Sequence, residues 1–541
     1  MVDAKEAIVG YTGFVGGFLR ESRPDADLYN SKNIETMRGR TYDTVYCAGL
    51  PATKWLVNND PATDKRNIDA LKDVLMTVAV HSHFVLISTI DVHDHAHAHQ
   101  QEHTPIVPSS EPYGRHRYEF EEWVVNTFGA HVVTVLRLPA LFGVGLKKNV
   151  LFDLVHERLL GAVRLDSVFQ WYDMRWLDAD IQYTLDNSIR LAHLYPEPIQ
   201  TRDIVTAFFP HLLDRIQTEA SVGGGAPVYN HDTVYPGFRR TARAVLAGMA
   251  DFITVYRSIH STDTAAKLVV SNLHWEPRHD EHAVFLLQRY GISAVELAPT
   301  KYATGPHASP GELWEETLAR LPGVVEWYRQ RGVAVHSVQS VLYGYQTGTL
   351  ASLRPELVRH LRRLLGLANE LGIRALVLGS PKLRVCSPGE TYKEACACLA
   401  GILQEAAEGA PRDGAVLCLE PNASGYGCDV GTTVHTVSSD ILAHVPDGLP
   451  VGINFDTGNH AMEGAPCFTD AECRRVAHVQ VSAPLLGPIA SLPSEVLAQY
   501  REWVGKAMSA AGRADTAVSL ETTAAITHMP QNLFLFTKYF Q

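Results

Sequence analysis

The feature that most constrains this chain is a strand–helix alternation that recurs eight times from Lys267 onward. Short apolar runs fall at Lys267–Leu273, Ala294–Leu297, Ala334–Ser337, Ala375–Leu378, Val416–Leu419, Val451–Phe455, His478–Val481 and Ala517–Leu520. Between them lie segments with apolar residues at i, i+3 and i+4, clearest over Leu353–Leu371 and Tyr392–Ala407. Continuous apolar strands separated by helices predict a parallel sheet covered on both faces. Eight such units over about 275 residues fit a (β/α)8 barrel. An open α/β sheet is the bland alternative.

The first half alternates in the same way. Ala7–Val9, Thr44–Ala48, Phe84–Ser88 and Val132–Leu136 read as buried strands, with a helix from about Phe14 and another over Tyr118–Asn126. The expected class is therefore α/β throughout: a Rossmann-type doubly wound parallel sheet over residues 1–262, fused to a TIM barrel over 263–541. The Gly-rich stretch Ser221–Pro227 resembles a linker, but the boundary is placed at Ser261 to Ala266, where the new rhythm starts.

A net charge of −12, from 47 Lys plus Arg against 59 Asp plus Glu, argues against nucleic-acid binding through a basic surface. No apolar run approaches the ~18 residues that span a bilayer, and Met1 to Gly10 is too polar for a signal peptide. The eight cysteines form no C-x-x-C pair; Cys396-Ala-Cys398 sits in a helical pattern. Reduced, mostly buried thiols in a cytoplasmic protein are expected. The expected partner is a small molecule, and a homo-oligomer is compatible with the composition.

Gly10-Tyr-Thr-Gly13-Phe14-Val15-Gly16 follows the first strand directly and opens a helix. Glycine permits the tight turn and lets a pyrophosphate approach the N–H groups of the helix N-terminus. A tight turn without a ligand is the structural alternative. Further along come Ala48-Gly49, Asn67, Ile87-Ser88-Thr89, Glu111-Pro112-Tyr113-Gly114-Arg115 and Arg137-Leu138-Pro139-Ala140-Leu141-Phe142-Gly143, then Trp176-Leu177-Asp178-Ala179-Asp180-Ile181. With these motifs, residues 5–250 resemble an extended short-chain dehydrogenase/reductase of the nucleotide-sugar epimerase/dehydratase type. The resemblance implies Tyr113 as general acid/base and Thr89 as the group that orients the substrate oxygen. It implies a cofactor held by Gly10, Gly13, Phe14, Val15, Gly16, Asn30, Ala48, Tyr113 and Arg117.

The family carries Lys four residues after that Tyr, where this chain has Arg117. Arg supplies a fixed charge with a different fork geometry. Arg117 is accordingly expected to do the Lys's work as a compensated variant. Leu28-Tyr29-Asn30-Ser31-Lys32 lacks the acidic residue that usually marks NAD, so the cofactor reads as NAD or NADP. The run from His93 through His95, His97 and His99 to His103 has metal-like spacing. It is read instead as a solvated loop that titrates near the ordinary imidazole value.

In a barrel, acidic residues at the C-terminal strand ends mark the active face. Glu420, Asp456, Gln480 and Glu521 lie at the ends of the last four strands. Gathered carboxylates repel one another, which a divalent cation relieves. Residues 267–525 resemble the xylose isomerase-like barrels, in particular sugar phosphate isomerase/epimerase proteins of the 3-epimerase type. The resemblance implies a metal, Mn or Mg, on Glu420, Asp456, Gln480 and Glu521, with Glu420 and Glu521 moving protons. The family has His where this chain has Gln480, and His478 is the fallback ligand. Lys382 and Arg384 are candidates to grip a substrate anion, and His274, His336 and His460 to line the pocket.

Together the two halves read as a bifunctional carbohydrate-modifying enzyme: a nicotinamide-dependent sugar oxidoreductase/epimerase fused to a metal-dependent sugar (phosphate) isomerase/epimerase. Two alternatives stand beside it. The barrel acts as a dehydratase or a 3-keto-glycoside-cleaving lyase, or the first half is a cofactor-binding scaffold without turnover.

Overall fold

The computed structural model describes residues 5–94, 98–107, 109–219, 226–261, 267–345, 348–466, 468–509, 511 and 516–541. The stretches 220–225 and 262–266, which hold the linker-like glycines and the expected boundary, lie outside the described residues, as do His95, His97 and Cys467. The chain divides into two compact units, Met1–Tyr256 and Arg257–Gln541. The division falls within the helix Ala242–His260.

In the first unit, β1 (Glu6–Val9), β2 (Asp27–Tyr29), β3 (Thr41–Cys47), β4 (Ala79–Thr89), β5 (Val133–Leu138) and β8 (Leu191–His193) form one sheet in the order β2-β1-β3-β4-β5-β8. All of its pairings are parallel. The strand β5 is buried at every position, as a strand covered by helices on both faces must be. A second, three-stranded sheet joins β6 (Ala140–Phe142), β7 (Val168–Asp173) and β9 (Pro198–Gln200). Its short strands gave no periodic signal in the sequence.

The chain leaves β1 toward β2 on one side and returns to β3 on the other, so the strand order reverses at β1. Doubly wound sheets bind ligands outside the carboxyl ends of their strands at such a point. The glycine turn sits there. Gly10 has φ +87°, and a Cβ on it would collide with the Ala48 carbonyl at the end of β3. A Cβ on Gly16 would collide with the Gly10 carbonyl. These two glycines close the turn upon itself.

The second unit is a closed barrel of eight parallel strands. They are β10 (Lys267–Ser271), β11 (Ala294–Leu297), β12 (Ala334–Val338), β13 (Ala375–Leu378), β14 (Val416–Leu419), β15 (Val451–Asp456), β16 (Val476–Val481) and β17 (Ala517–Leu520). The strand β17 closes on β10, with Lys267 opposite Ala517 and Val270 opposite Leu520. The helices Leu350–Leu371 and Tyr392–Ala407 each begin with a capping box, which satisfies the free N–H groups of the first turn. Among the described residues all seven cysteines are free.

Because Gly16 packs backbone against backbone, Gly16→Ala should destabilise the first unit by about 1–3 kcal/mol. Hydrogen-exchange mass spectrometry should show lost protection in peptides of β1, β2 and β3 and none in the barrel. Unchanged exchange around β1 contradicts the packing.

Two candidate active sites

In the first unit, the helix Phe14–Glu21 starts at Gly13 with no side chain capping its N-terminus. Gly13 differs from its two neighbours: a Cβ there would meet only the Gly10 carbonyl, at 3.2 Å. An uncapped helix N-terminus beside a residue without a side chain is a cradle suited to a pyrophosphate. The N–H groups of Phe14, Val15 and Gly16 form its first turn. Beyond β2, the Asn30 side-chain oxygen accepts the Lys32 N–H at 2.8 Å and shapes the turn, while Lys32 is exposed.

Tyr113 is the second residue of the helix Pro112–Phe128, and its N–H donates to Asn58 Oδ1 at 3.0 Å. Its side chain is buried and hydrogen-bonds Thr89, at the end of β4. Burial pushes the phenol up to about 12, against the attraction of Arg117 and the Thr89 bond. Arg117, one helical turn on, lies with its guanidinium carbon 4.1 Å from the Tyr113 ring centre.

The guanidinium is committed elsewhere. Its two terminal nitrogens bond Asp64 at 2.5 and 3.1 Å, and one also donates to the Pro51 carbonyl. His116 Nδ1 meets the same Asp64 carboxylate at 2.8 Å. Arg117 thus lends its charge to Tyr113 while its donors are spent on Asp64 and Pro51. It draws the phenol downward across the ring face while its donors neutralise a buried carboxylate that needs them.

The histidine segment also corrects its reading. His93 is buried, with its ring 5.0 Å from His193 and 4.6 Å from His231. Burial, then the neighbouring His193, pushes it down to about 2, far from a solvated imidazole. His99 and His103, by contrast, are exposed, and His99 lies 3.3 Å from Asp232.

In the barrel, Glu420 follows β14, Asp456 ends β15 and Glu521 follows β17; Asp456 and Glu521 are buried and Glu420 is half-buried. Glu420 Oε1 accepts from Asn459 at 2.6 Å and from Asn422 at 2.9 Å. Asp456 accepts the Asn459 N–H at 2.6 Å and the Ser482 hydroxyl at 2.8 Å. Burial, then the charge of Asp456, pushes Glu420 up to about 8. Burial pushes Asp456 to about 6, and burial with Glu420 and Asp456 raises Glu521 well above the carboxylate range.

Gln480 does not join them. Its amide donates to Glu296 at 2.8 Å and its oxygen accepts from Asn454, so both ends are used. The fallback, His478, is bound through Nε2 to Glu296 at 2.7 Å. Glu296 is the residue that sequence reading missed. It accepts further bonds from Ser337 at 2.8 Å and Ser519 at 3.1 Å, and these with His478 hold it below the usual glutamate value despite full burial. A glutamate inside the apolar run Ala294–Leu297 was the available signal.

Arg384 is also redirected. It is buried, and its fork donates to the backbone carbonyls of Glu420 at 2.8 Å and Val430 at 3.1 Å, and to Asn422. It braces the Glu420 segment rather than facing a substrate. Lys382 is exposed. His274 bonds Asn532 at 3.0 Å, His336 stacks on His478 at 5.9 Å, and His460 packs edge-on to Trp503 at 4.7 Å. Among the described residues no three His, Cys, Asp or Glu side chains are gathered closely enough to hold an ion as placed. Gln480, spent on Glu296 and Asn454, does not complete a donor set with Glu420, Asp456 and Glu521.

Residues 284–522 match a family model described as xylose isomerase-like TIM barrel. Solved structures match with a TM-score of 0.37 for dTDP-4-dehydrorhamnose reductase from Yersinia enterocolitica, at 14% identity over 47% of this chain and 100% of that one. UDP-glucuronic acid 4-epimerase from Bacillus cereus gives 0.34, at 14% identity over 46% and 98%. dTDP-glucose 4,6-dehydratase from Streptomyces venezuelae gives 0.38, at 15% identity over 47% and 97%. No curated protein matches the sequence.

The raised carboxyls set a pH dependence. An unfolded glutamate loses its proton near 4.5, while folded Glu420 keeps it to about 8. The folded state is thus favoured below the lower value and loses that advantage as pH rises through the upper one. In chelator, the barrel's thermal midpoint should fall between about pH 5 and pH 8, and Glu420→Gln should flatten the fall. A midpoint that rises over this window contradicts the assignment.

Proposed function

We propose, with residues 284–522 as a xylose isomerase-like barrel, that the chain is a bifunctional carbohydrate-modifying enzyme. The barrel isomerises or epimerises a sugar or sugar phosphate, and the first unit performs nicotinamide-dependent oxidoreduction or epimerisation of a sugar. The observation that carries this reading is the convergence of Glu420, Asp456 and Glu521 at the carboxyl ends of barrel strands, each with its proton affinity raised. Barrel enzymes place their chemistry at that face.

In this reading Glu420 and Glu521 move the protons. A carboxyl whose proton affinity lies near neutrality can both give and take a proton at a carbon next to a carbonyl. One takes the proton and the other returns one. Asn422 and Asn459 fix the Glu420 head, and Ser482 with the Asn459 N–H fixes Asp456. Glu420, Asp456 and Glu521 would hold a divalent cation, Mn or Mg, which supplies polarisation of the carbonyl when bound.

In the first unit Tyr113 gives a proton to, or takes one from, the substrate oxygen that Thr89 orients. The glycine cradle at Gly13 would hold NAD or NADP, which supplies hydride transfer when bound. Asn30 and Ala48 border that cradle, at the ends of β2 and β3. A scaffold without turnover is the second reading for this unit. It is favoured by one observation, the commitment of Arg117 to Asp64.

Glu420→Gln should lower ketose isomerisation or epimerisation by about 10²-fold or more, measured on a panel of free and phosphorylated ketohexoses, with NAD binding unchanged. Tyr113→Phe should keep NAD affinity and lose redox turnover of UDP-glucose and dTDP-glucose. A Glu420→Gln protein as active as the parent overturns the barrel assignment. An equally active Tyr113→Phe protein overturns the acid/base role.

A further inference from the structure

The commitment of Arg117 leaves a physical problem. A buried phenol that exchanges protons needs its ionised form supported, and the nearest guanidinium is neutralising Asp64. A second cation is linked to Tyr113 through a chain of contacts. Lys54 opens the short helix Lys54–Asn59, just after β3. Its ammonium bonds Asp91 Oδ1 at 2.9 Å and Glu111 Oε2 at 2.7 Å. Asp91 in turn accepts from Thr89 Oγ1 at 3.2 Å and from the Tyr229 hydroxyl at 2.9 Å. Thr89 is the residue that bonds Tyr113. The chain of contacts therefore runs Tyr113, Thr89, Asp91, Lys54.

We propose that Lys54 is a positioning residue for the first-unit reaction, neutralising and fixing Asp91 so that the Asp91 carboxylate opposes ionisation of the Tyr113 phenol less. This rests on the reading of Tyr113 as the acid/base.

The electrostatic bookkeeping of the pocket supports the assignment. The groups that face Tyr113 are Arg117 on its own helix, Asp64 on the helix Pro61–Leu75, Asp91 after β4, and Tyr229 from the segment that follows residue 225. Asp91 and Asp64 both hold the proton on Tyr113, whereas Arg117 and the Thr89 bond release it. Arg117 and His116 answer Asp64. Lys54 answers Asp91, and Glu111 flanks the pair. Asp91 is mostly buried, at 15% side-chain exposure, so its charge is poorly screened by water and its counterion matters. Lys54 is itself held charged: burial opposes the charge, but Asp91 and Glu111 outweigh it. Tyr229 stacks on Phe169 at 5.6 Å, which fixes the hydroxyl that completes the hold on Asp91.

The test is a 13C NMR titration of the full chain labelled at tyrosine Cζ, from about pH 7 to about 12, without and with NAD. The Tyr113 signal is assigned by its loss in Tyr113→Phe. Lys54→Met should move the onset of Tyr113 ionisation upward by about one pH unit, because Asp91 is left uncompensated. Lys54→Arg should restore the parental onset. The double variant Lys54→Met/Asp91→Asn removes both charges, leaves no lone buried carboxylate, and should return the onset to the parental value or below. A Lys54→Met titration superimposable on the parent's overturns the proposal, as does a double variant shifted upward as far as Lys54→Met. Redox turnover of UDP-glucose and dTDP-glucose by Tyr113→Phe judges the underlying reading separately. If that variant is fully active, the acid/base reading falls while the titration still decides whether Lys54 governs the phenol.

Discussion

Burying a carboxylate in a protein demands a partner, and this chain meets the demand in two opposite ways. Asp64 is answered by Arg117 and His116, and Glu296 by His478, Gln480, Ser337 and Ser519. These carboxylates are met by several donors each. Asp456 and Glu521 are buried as deeply and Glu420 is half-buried, yet Asp456 raises the proton affinity of Glu420, and both raise that of Glu521. Groups left in that state exchange protons near neutrality or take up a cation, and such groups cluster at functional sites. Within the barrel the contrast is between Glu296, met by four side-chain donors, and the three carboxyls at the strand ends.

The same contrast explains the substitutions that set this sequence apart from the families it resembles. With Gln at 480, the strand-seven side chain serves the Glu296 network inside the barrel rather than the carboxylates at its mouth. With Arg at 117, the helix turn after Tyr113 serves Asp64. In both places the side chain bonds a buried carboxylate: Gln480 donates to Glu296 and Arg117 to Asp64.

The barrel was legible because its strands are buried on both faces and so read as unbroken apolar runs; Ala294–Leu297, Ala375–Leu378, Val416–Leu419 and Ala517–Leu520 coincide with the strands. The glycine turn was legible because only glycine tolerates Gly10's backbone and Gly16's close packing. What stayed hidden depends on contacts far apart in sequence. Glu296 meets His478 across 182 positions, Asp64 meets Arg117 across 53, and Lys54 meets Asp91 across 37. Local pattern carries no trace of such pairings. His93 misled for a related reason: its neighbours in sequence are polar, but the rings that bury it come from residues 193 and 231.

The central claim is that Glu420, Asp456 and Glu521 form one proton-holding, cation-accepting centre. Titration calorimetry of Mn²⁺ into the full chain near pH 7, run in two buffers of different ionisation enthalpy, tests it directly. Carboxyls held at about 6 and about 8 must give up protons when an ion displaces them. The account predicts one ion per chain with release of about one proton or more, and a smaller release in Glu420→Gln. Binding without proton release, or no binding at all, would contradict it.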